Sequence, residues 1–152
     1  MTLPFYKQEK PYTCGSAAMR MVLAAIGIKK SENCLSRLLN ATPEEGCASF
    51  EPFSKVARKF KLDYVEKKKG TIKELKELMV QNYSIIVCYM DLKNRKEEEA
   101  HYSVVKKIDK KNIYLYDPYY GPKIKFGLAH FRKIWSDRMH HSERGWFIAI
   151  KK

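Results

Sequence analysis

The run Gln8-Glu9-Lys10-Pro11-Tyr12-Thr13-Cys14-Gly15-Ser16-Ala17-Ala18 sets a cysteine between a turn-like stretch and the start of an amphipathic helix. Over residues 15–26, apolar side chains at Ala18, Met21, Val22 and Ala25 recur at helical spacing. Gly27 supplies the stop. A thiol at a helix N-terminus meets unpaired N–H groups and the positive end of the helix dipole. Both favour the thiolate, which is the reactive form. The stretch therefore predicts a helix that presents a nucleophile at its first turn.

Working outward, helical pattern continues through the first half of the chain. Ser31 can cap a short helix through Leu39, and Ser49 can cap another, with Pro52 in its first turn. Phe53, Val56, Ala57 and Phe60 then share one face. Thr71-Ile72-Lys73-Glu74 is a capping box that opens a fourth helix running to about Gln81. The period then changes. Residues 84–90 form a short apolar run rich in β-branched residues, as in a central strand. Residues 101–108 and 112–117 flank Asp109-Lys110-Lys111, which reads as a hairpin turn. Residues 123–126 predict another strand, 128–135 a short helix and 146–150 a final strand. Helices first and strands later predict an α+β fold, with N-terminal helices packed on a C-terminal antiparallel sheet. There is no repeat and no linker, so residues 1–152 are expected to form one domain.

Composition narrows the function. The apolar fraction is 45%, too high for a disordered chain. No stretch approaches the roughly 18 apolar residues of a membrane span. The N-terminus lacks the pattern of a signal peptide, so the expected location is the cytoplasm. Lysine and arginine total 30 against 17 acidic residues, a net charge of +13. This favours anionic partners, an acidic peptide or protein among them. No nucleic-acid motif with fixed spacing is present, and the simpler reading is a lysine-rich solvated surface. Of the cysteines, Cys88 lies in an apolar run, and Cys34 and Cys47 read as structural. No C-x-x-C pair suggests a metal, and His130, His140 and His141 lack a site-like context.

His101 begins one predicted hairpin strand and Asp117 ends the next, so antiparallel pairing brings both to the same edge of the sheet. In such a site His101 accepts the Cys14 proton and Asp117 orients the imidazole. The thiolate attacks a carbonyl, and water hydrolyses the thioester. The oxyanion needs donors, for which the Cys14 N–H and the Gln8 side-chain amide are the candidates. Singly, each residue has a bland alternative: a packed cysteine, a surface histidine, an Asp-Pro turn. Tyr114 and Tyr116 are expected to pack the sheet, while Tyr119 and Tyr120 could also line a cleft. The charged residues 93–99 lead into His101 and could gate it.

The ordered set resembles the bacteriocin-processing cysteine peptidases, papain-like domains that remove double-glycine leaders at the front of certain ABC exporters. The resemblance rests on Gln8, Cys14-Gly15, Ala18, Met21, Leu23 and Gly27, then His101-Tyr102 with Val104-Val105, then Asp117-Pro118 with Gly121, and finally Phe131 and Trp135. It implies a papain-like fold with Cys14 as nucleophile, His101 as base, Asp117 as orienter and Gln8 in the oxyanion hole. It also implies a peptide substrate and no metal or organic cofactor. Two departures stand out: Thr13 replaces an acidic residue common before the cysteine, and the exporter's membrane and ATPase parts are missing, which makes a stand-alone domain the expectation. The same core is similar to that of phytochelatin synthases, where such a site transfers an acyl group. Three functions follow: a hydrolase of peptide or isopeptide bonds, an acyltransferase using the same site, or a non-catalytic peptide-binding module with a basic surface.

Overall fold

The first helix is buried more completely than its apolar spacing implies. In a computed structural model, which describes residues 2–90, 100–136 and 144–152, α1 (Cys14–Ala25) encloses Met19, Met21, Val22 and Leu23 with no exposure. Thr13 is its N-cap residue, so Cys14 is the first residue of the helix. At the other end Gly27 has φ +88°, which a side chain would strain. The Gly27 N–H donates to Ala24 O at 3.0 Å and the Ile28 N–H to Leu23 O at 2.9 Å, closing the helix.

Two further helices follow, α2 (Glu32–Leu38) and α3 (Glu51–Lys59). Ser31 caps α2 as expected, its hydroxyl accepting from the Cys34 N–H. The cap of α3 differs from expectation. Phe50 is the N-cap residue, and Ser49 stands one residue outside, where its hydroxyl accepts from the Glu51 N–H at 3.3 Å.

The rest of the chain is β1 (Asp63–Lys67), α4 (Ile72–Val80), β2 (Ser84–Tyr89), β3 (His101–Ile108), β4 (Asn112–Asp117), β5 (Gly121–Gly127), α5 (Leu128–Ile134) and β6 (Phe147–Lys151). The strands form one antiparallel sheet in the order β1-β6-β2-β3-β4-β5. β1 has no counterpart in the sequence reading. It lies at the sheet edge, and four of its five residues are exposed, so it carries no apolar alternation. α4 does open on the Thr71–Glu74 capping box, with both reciprocal bonds made.

Strand alternation divides the apolar side chains between two layers. Ile86, Cys88, Val104 and Ile148 face α1, α2 and α3. Ile85, Val87, Ile113 and Leu115 face the opposite way, against Leu75 of α4 and Phe131 of α5. The helices thus cover both faces of the sheet, not one. This explains why β2 is a continuous apolar run with no polar face.

α1 meets the sheet where Gly15 touches β3. A Cβ added to Gly15 would lie 2.7 Å from Cys47 Sγ and 3.1 Å from the rings of Phe53 and Tyr102. Only a bare Cα permits this approach. The Gly15→Ala variant should lose roughly 1–3 kcal/mol of stability, the usual cost of overpacking a filled core. Urea unfolding measures this directly, and an unchanged midpoint would show that the contact yields without strain.

Candidate active site

Asp117 ends β4 and is completely buried, so its carboxylate oxygens must find donors within the protein. Four come to it. Oδ1 accepts the backbone N–H groups of Tyr119 (2.8 Å) and Tyr120 (2.9 Å). Oδ2 accepts the Ser103 hydroxyl at 3.1 Å and the Tyr89 hydroxyl. One oxygen thus closes an Asx-type turn, and the same oxygen approaches a histidine.

That histidine is His101. Its Nδ1 lies 3.8 Å from Asp117 Oδ1, close enough for an ion pair but beyond hydrogen-bonding distance. Nδ1 is buried and meets no hydrogen-bond partner among the described residues. The imidazole is mostly enclosed, with ring centroids 5.8 Å from Tyr119 and 5.7 Å from Tyr120. Those two tyrosines are exposed, whereas Tyr116 is packed edge-on against Phe5 and Tyr114 donates its hydroxyl to Asp109. The aromatic residues beside the histidine thus fall into two groups. Tyr114 and Tyr116 serve the sheet, and Tyr119 and Tyr120 stand at the rim of the histidine.

Gln8 reaches the same corner from the other end of the chain. Its backbone N–H donates to Pro118 O at 3.0 Å, beside Asp117. The Phe5–Tyr116 contact carries the preceding residues across β4. The Gln8 side chain is buried, and its Nε2 donates one proton to Lys10 O at 2.8 Å. An amide nitrogen has two protons, so one stays available for a ligand. Oε1 meets no hydrogen-bond partner among the described residues.

Cys14 is half-buried at the helix start. Its neighbour Gly15 lies on the Tyr102 ring, and Tyr102 follows His101 in β3, so α1 delivers the thiol to the end of the sheet that carries the histidine. A second thiol occupies the same helix terminus. Ser16 engages Cys47 through its backbone N–H and its hydroxyl, while the Ser16 hydroxyl accepts from Ser36 at 2.8 Å. The Tyr102 hydroxyl donates to Cys47 O at 2.9 Å. Burial, with the nearby Cys14 next in weight, pushes the Cys47 thiol up to about 12. Cys47 is therefore a neutral, packed acceptor, which agrees with its structural reading.

The chain matches the model of the Peptidase C39 family over residues 2–142. It belongs to that family. It is 30% identical to an uncharacterized protein of Methanothermobacter marburgensis over 138 residues, covering 91% of this chain and 87% of that one. The fold is similar to the peptidase domain of Streptococcus ComA, a bi-functional ABC transporter involved in quorum sensing. That likeness has a TM-score of 0.73 at 18% identity, covering 98% of both chains. It is also similar to a double-glycine-motif protease from a PCAT transporter, solved in complex with its leader peptide. There the TM-score is 0.71 at 19% identity, covering 99% of this chain and 91% of that one. Family and fold together make this a papain-like, cysteine-peptidase-like chain, as its motif order implies.

Within this C39 fold, the sequence reading missed the residues that hold Asp117. Ser103 shares a strand face with His101 by simple alternation, which is a usable signal. Tyr89 gives none: it closes an apolar run, and only its register opposite His101 shows that its hydroxyl points to the site. Residues 91–99, with the proposed gate, lie outside the described residues, as do His140 and His141. His130 packs near Phe126.

The two thiol environments predict different reactivity. At pH 8 a group near 12 is only about one part in ten thousand thiolate. In the folded chain, a soluble disulfide reagent should label the half-buried Cys14 and Cys34 and leave Cys47 and Cys88 untouched until denaturant is added. Peptide mapping of the labelled chain reads this, and early labelling of Cys47 would contradict its placement.

Proposed function

We propose that the chain is a cysteine peptidase that cleaves a peptide or isopeptide bond through Cys14, His101 and Asp117, with Gln8 and the Cys14 N–H stabilising the oxyanion. The observation that carries this is the convergence on one corner. Asp117 faces His101, Gln8 is tied by its N–H to Pro118, and α1 brings Cys14 beside the strand of His101. Three segments far apart in sequence meet with the residue types that acyl transfer requires.

In the proposed reaction the Cys14 thiol gives its proton to the His101 imidazole, and the sulfur adds to the scissile carbonyl carbon. Negative charge passes to the carbonyl oxygen, which takes hydrogen bonds from the second Gln8 Nε2 proton and the Cys14 N–H. Collapse of this adduct breaks the C–N bond, and the leaving amine takes the proton from His101. A thioester remains on Cys14. Water, deprotonated by His101, then adds to the thioester, the C–S bond breaks, and the thiol and a carboxylic acid are released. Asp117 stays charged throughout and stabilises the imidazolium.

A peptide as substrate is supported by the leader peptide bound to the structurally similar PCAT protease. None of the four cysteines is joined in a disulfide, which suits a reducing compartment and supports the cytoplasm as the place of reaction. Lys106 and Lys107 stand over the rings of Tyr116 and Tyr114, each 5.4 Å from the centroid. This is the ordinary packing of lysine stems with solvated tips, and an acidic partner forms no part of the proposed function.

The test uses a quenched-fluorescence peptide library that includes a double-glycine leader. Cys14→Ala and His101→Ala should abolish cleavage with the circular dichroism unchanged. Gln8→Ala should lower kcat by roughly a hundredfold or more, the usual effect of losing an oxyanion donor. Asp117→Asn should lower it to a similar or greater degree. Cleavage that survives Cys14→Ala would sink the proposal. Faster product formation with an added amine, giving amide instead of acid, would move the function to acyl transfer.

A further inference from the structure

Five residues separate Gln8 from Cys14. An oxyanion hole built from both requires this connection to hold the two donors toward one oxygen, within about half an ångström. Within the turn, the Lys10 N–H donates to Thr13 Oγ1 at 3.1 Å, and the Thr13 N–H donates to Lys10 O at 3.3 Å. Lys10 O is also the acceptor of the Gln8 Nε2 proton. The orientation of the Gln8 amide therefore depends on where the turn places one carbonyl.

The turn is held from outside by Glu32, in the first turn of α2. Glu32 is buried, and both of its carboxylate oxygens lie 3.0 Å from the Glu9 nitrogen, whose N–H they share. The Thr13 hydroxyl has one proton, and it lies between Lys10 O at 3.0 Å and the Glu32 carboxylate. Contact thus runs from Glu32 to Glu9 and Thr13, on to Lys10 O, and from there to the Gln8 amide.

The cost of keeping Glu32 at this position bears on its role. Burial is the largest influence and raises the carboxyl above its ordinary value. The Thr13 hydroxyl and the Glu9 N–H oppose this, the Glu9 carboxylate adds to it, and the Arg20 guanidinium of α1 opposes it. Arg20 is shared with Glu9, 3.3 Å away. A folded-state value above the unfolded one means that stability falls as pH rises through that range, so the charged form is carried at a cost. Packing alone would favour an apolar or amide side chain.

We propose that Glu32 is a positioning residue for the oxyanion hole, its carboxylate clamping the 9–13 turn so that Gln8 and Cys14 address the same oxygen. This rests on the peptidase reading above. It predicts a separation of two reactions of the same thiol. Alkylation by iodoacetamide displaces iodide at a saturated carbon and forms no oxyanion. Acylation by p-nitrophenyl acetate adds sulfur to a carbonyl, forms an oxyanion, and expels p-nitrophenolate.

Both rates are measured at Cys14 in the full chain, with the Cys14→Ala background subtracted and folding checked by thermal melts. In Glu32→Gln and Glu32→Ala, acylation should fall about ten- to a hundredfold, less than or equal to the loss of an oxyanion donor. Alkylation should stay within about twofold, because it needs no oxyanion donor and Thr13 remains tied to Lys10 through two other bonds. Protonation of Glu32 at acid pH should lower the native acylation-to-alkylation ratio, a step that Glu32→Gln does not show. Equal losses in both reactions, or none in either, would overturn the positioning role. A native chain whose Cys14 is alkylated but never acylated would instead remove the peptidase reading, and this inference with it.

Discussion

A carboxylate shut away from water is the constraint on which the rest of the site depends. Asp117 has no solvent contact, and a buried polar group left without a partner costs about 1–3 kcal/mol. Its oxygens are filled by Tyr89 of β2, Ser103 of β3 and two N–H groups of its own turn. These bonds lock three neighbouring strands at one end of the sheet. They also hold the turn that presents Pro118 O to Gln8. The demand to satisfy one side chain therefore fixes the surroundings of His101 and the path of the N-terminal residues together.

The opposite wall of the site is fixed by sterics. Gly15 lets α1 press on Tyr102 and Cys47, and the Cys47 sulfur takes up part of the helix terminus beside Cys14. An aromatic group beneath it, in which Phe50 stacks on Trp146 at 4.2 Å and Phe53 on Tyr102 at 4.8 Å, leaves little room for α1 to shift. Rigid elements on both sides place a thiol and an imidazole more reliably than loops would.

Much of this was legible in the chain because it is local. The Thr71–Glu74 box, the Ser31 cap and the Gly27 stop each act within one helical turn, and they appear where the sequence puts them. The Asp109 hairpin is as local. Its carboxyl accepts the N–H groups of Asn112 and Lys111, which hold it down to about 2. What escaped is long-range. β1 exists because β6 offers it a partner, not because its own residues alternate. The second helical layer was hidden because buried strands show apolar runs without saying what covers them.

The sequence by itself determined the family and the α+β class, and it singled out Gln8, Cys14, His101 and Asp117 as candidates, because residue type and order survive without geometry. Only the tertiary structure decided how these are held. Tyr89, Ser103 and Glu32 enter through strand register and helix packing, which bring together groups 14 to 28 positions apart. Hydrogen bonding of buried groups is a property of the folded neighbourhood, and no spacing rule along the chain encodes it.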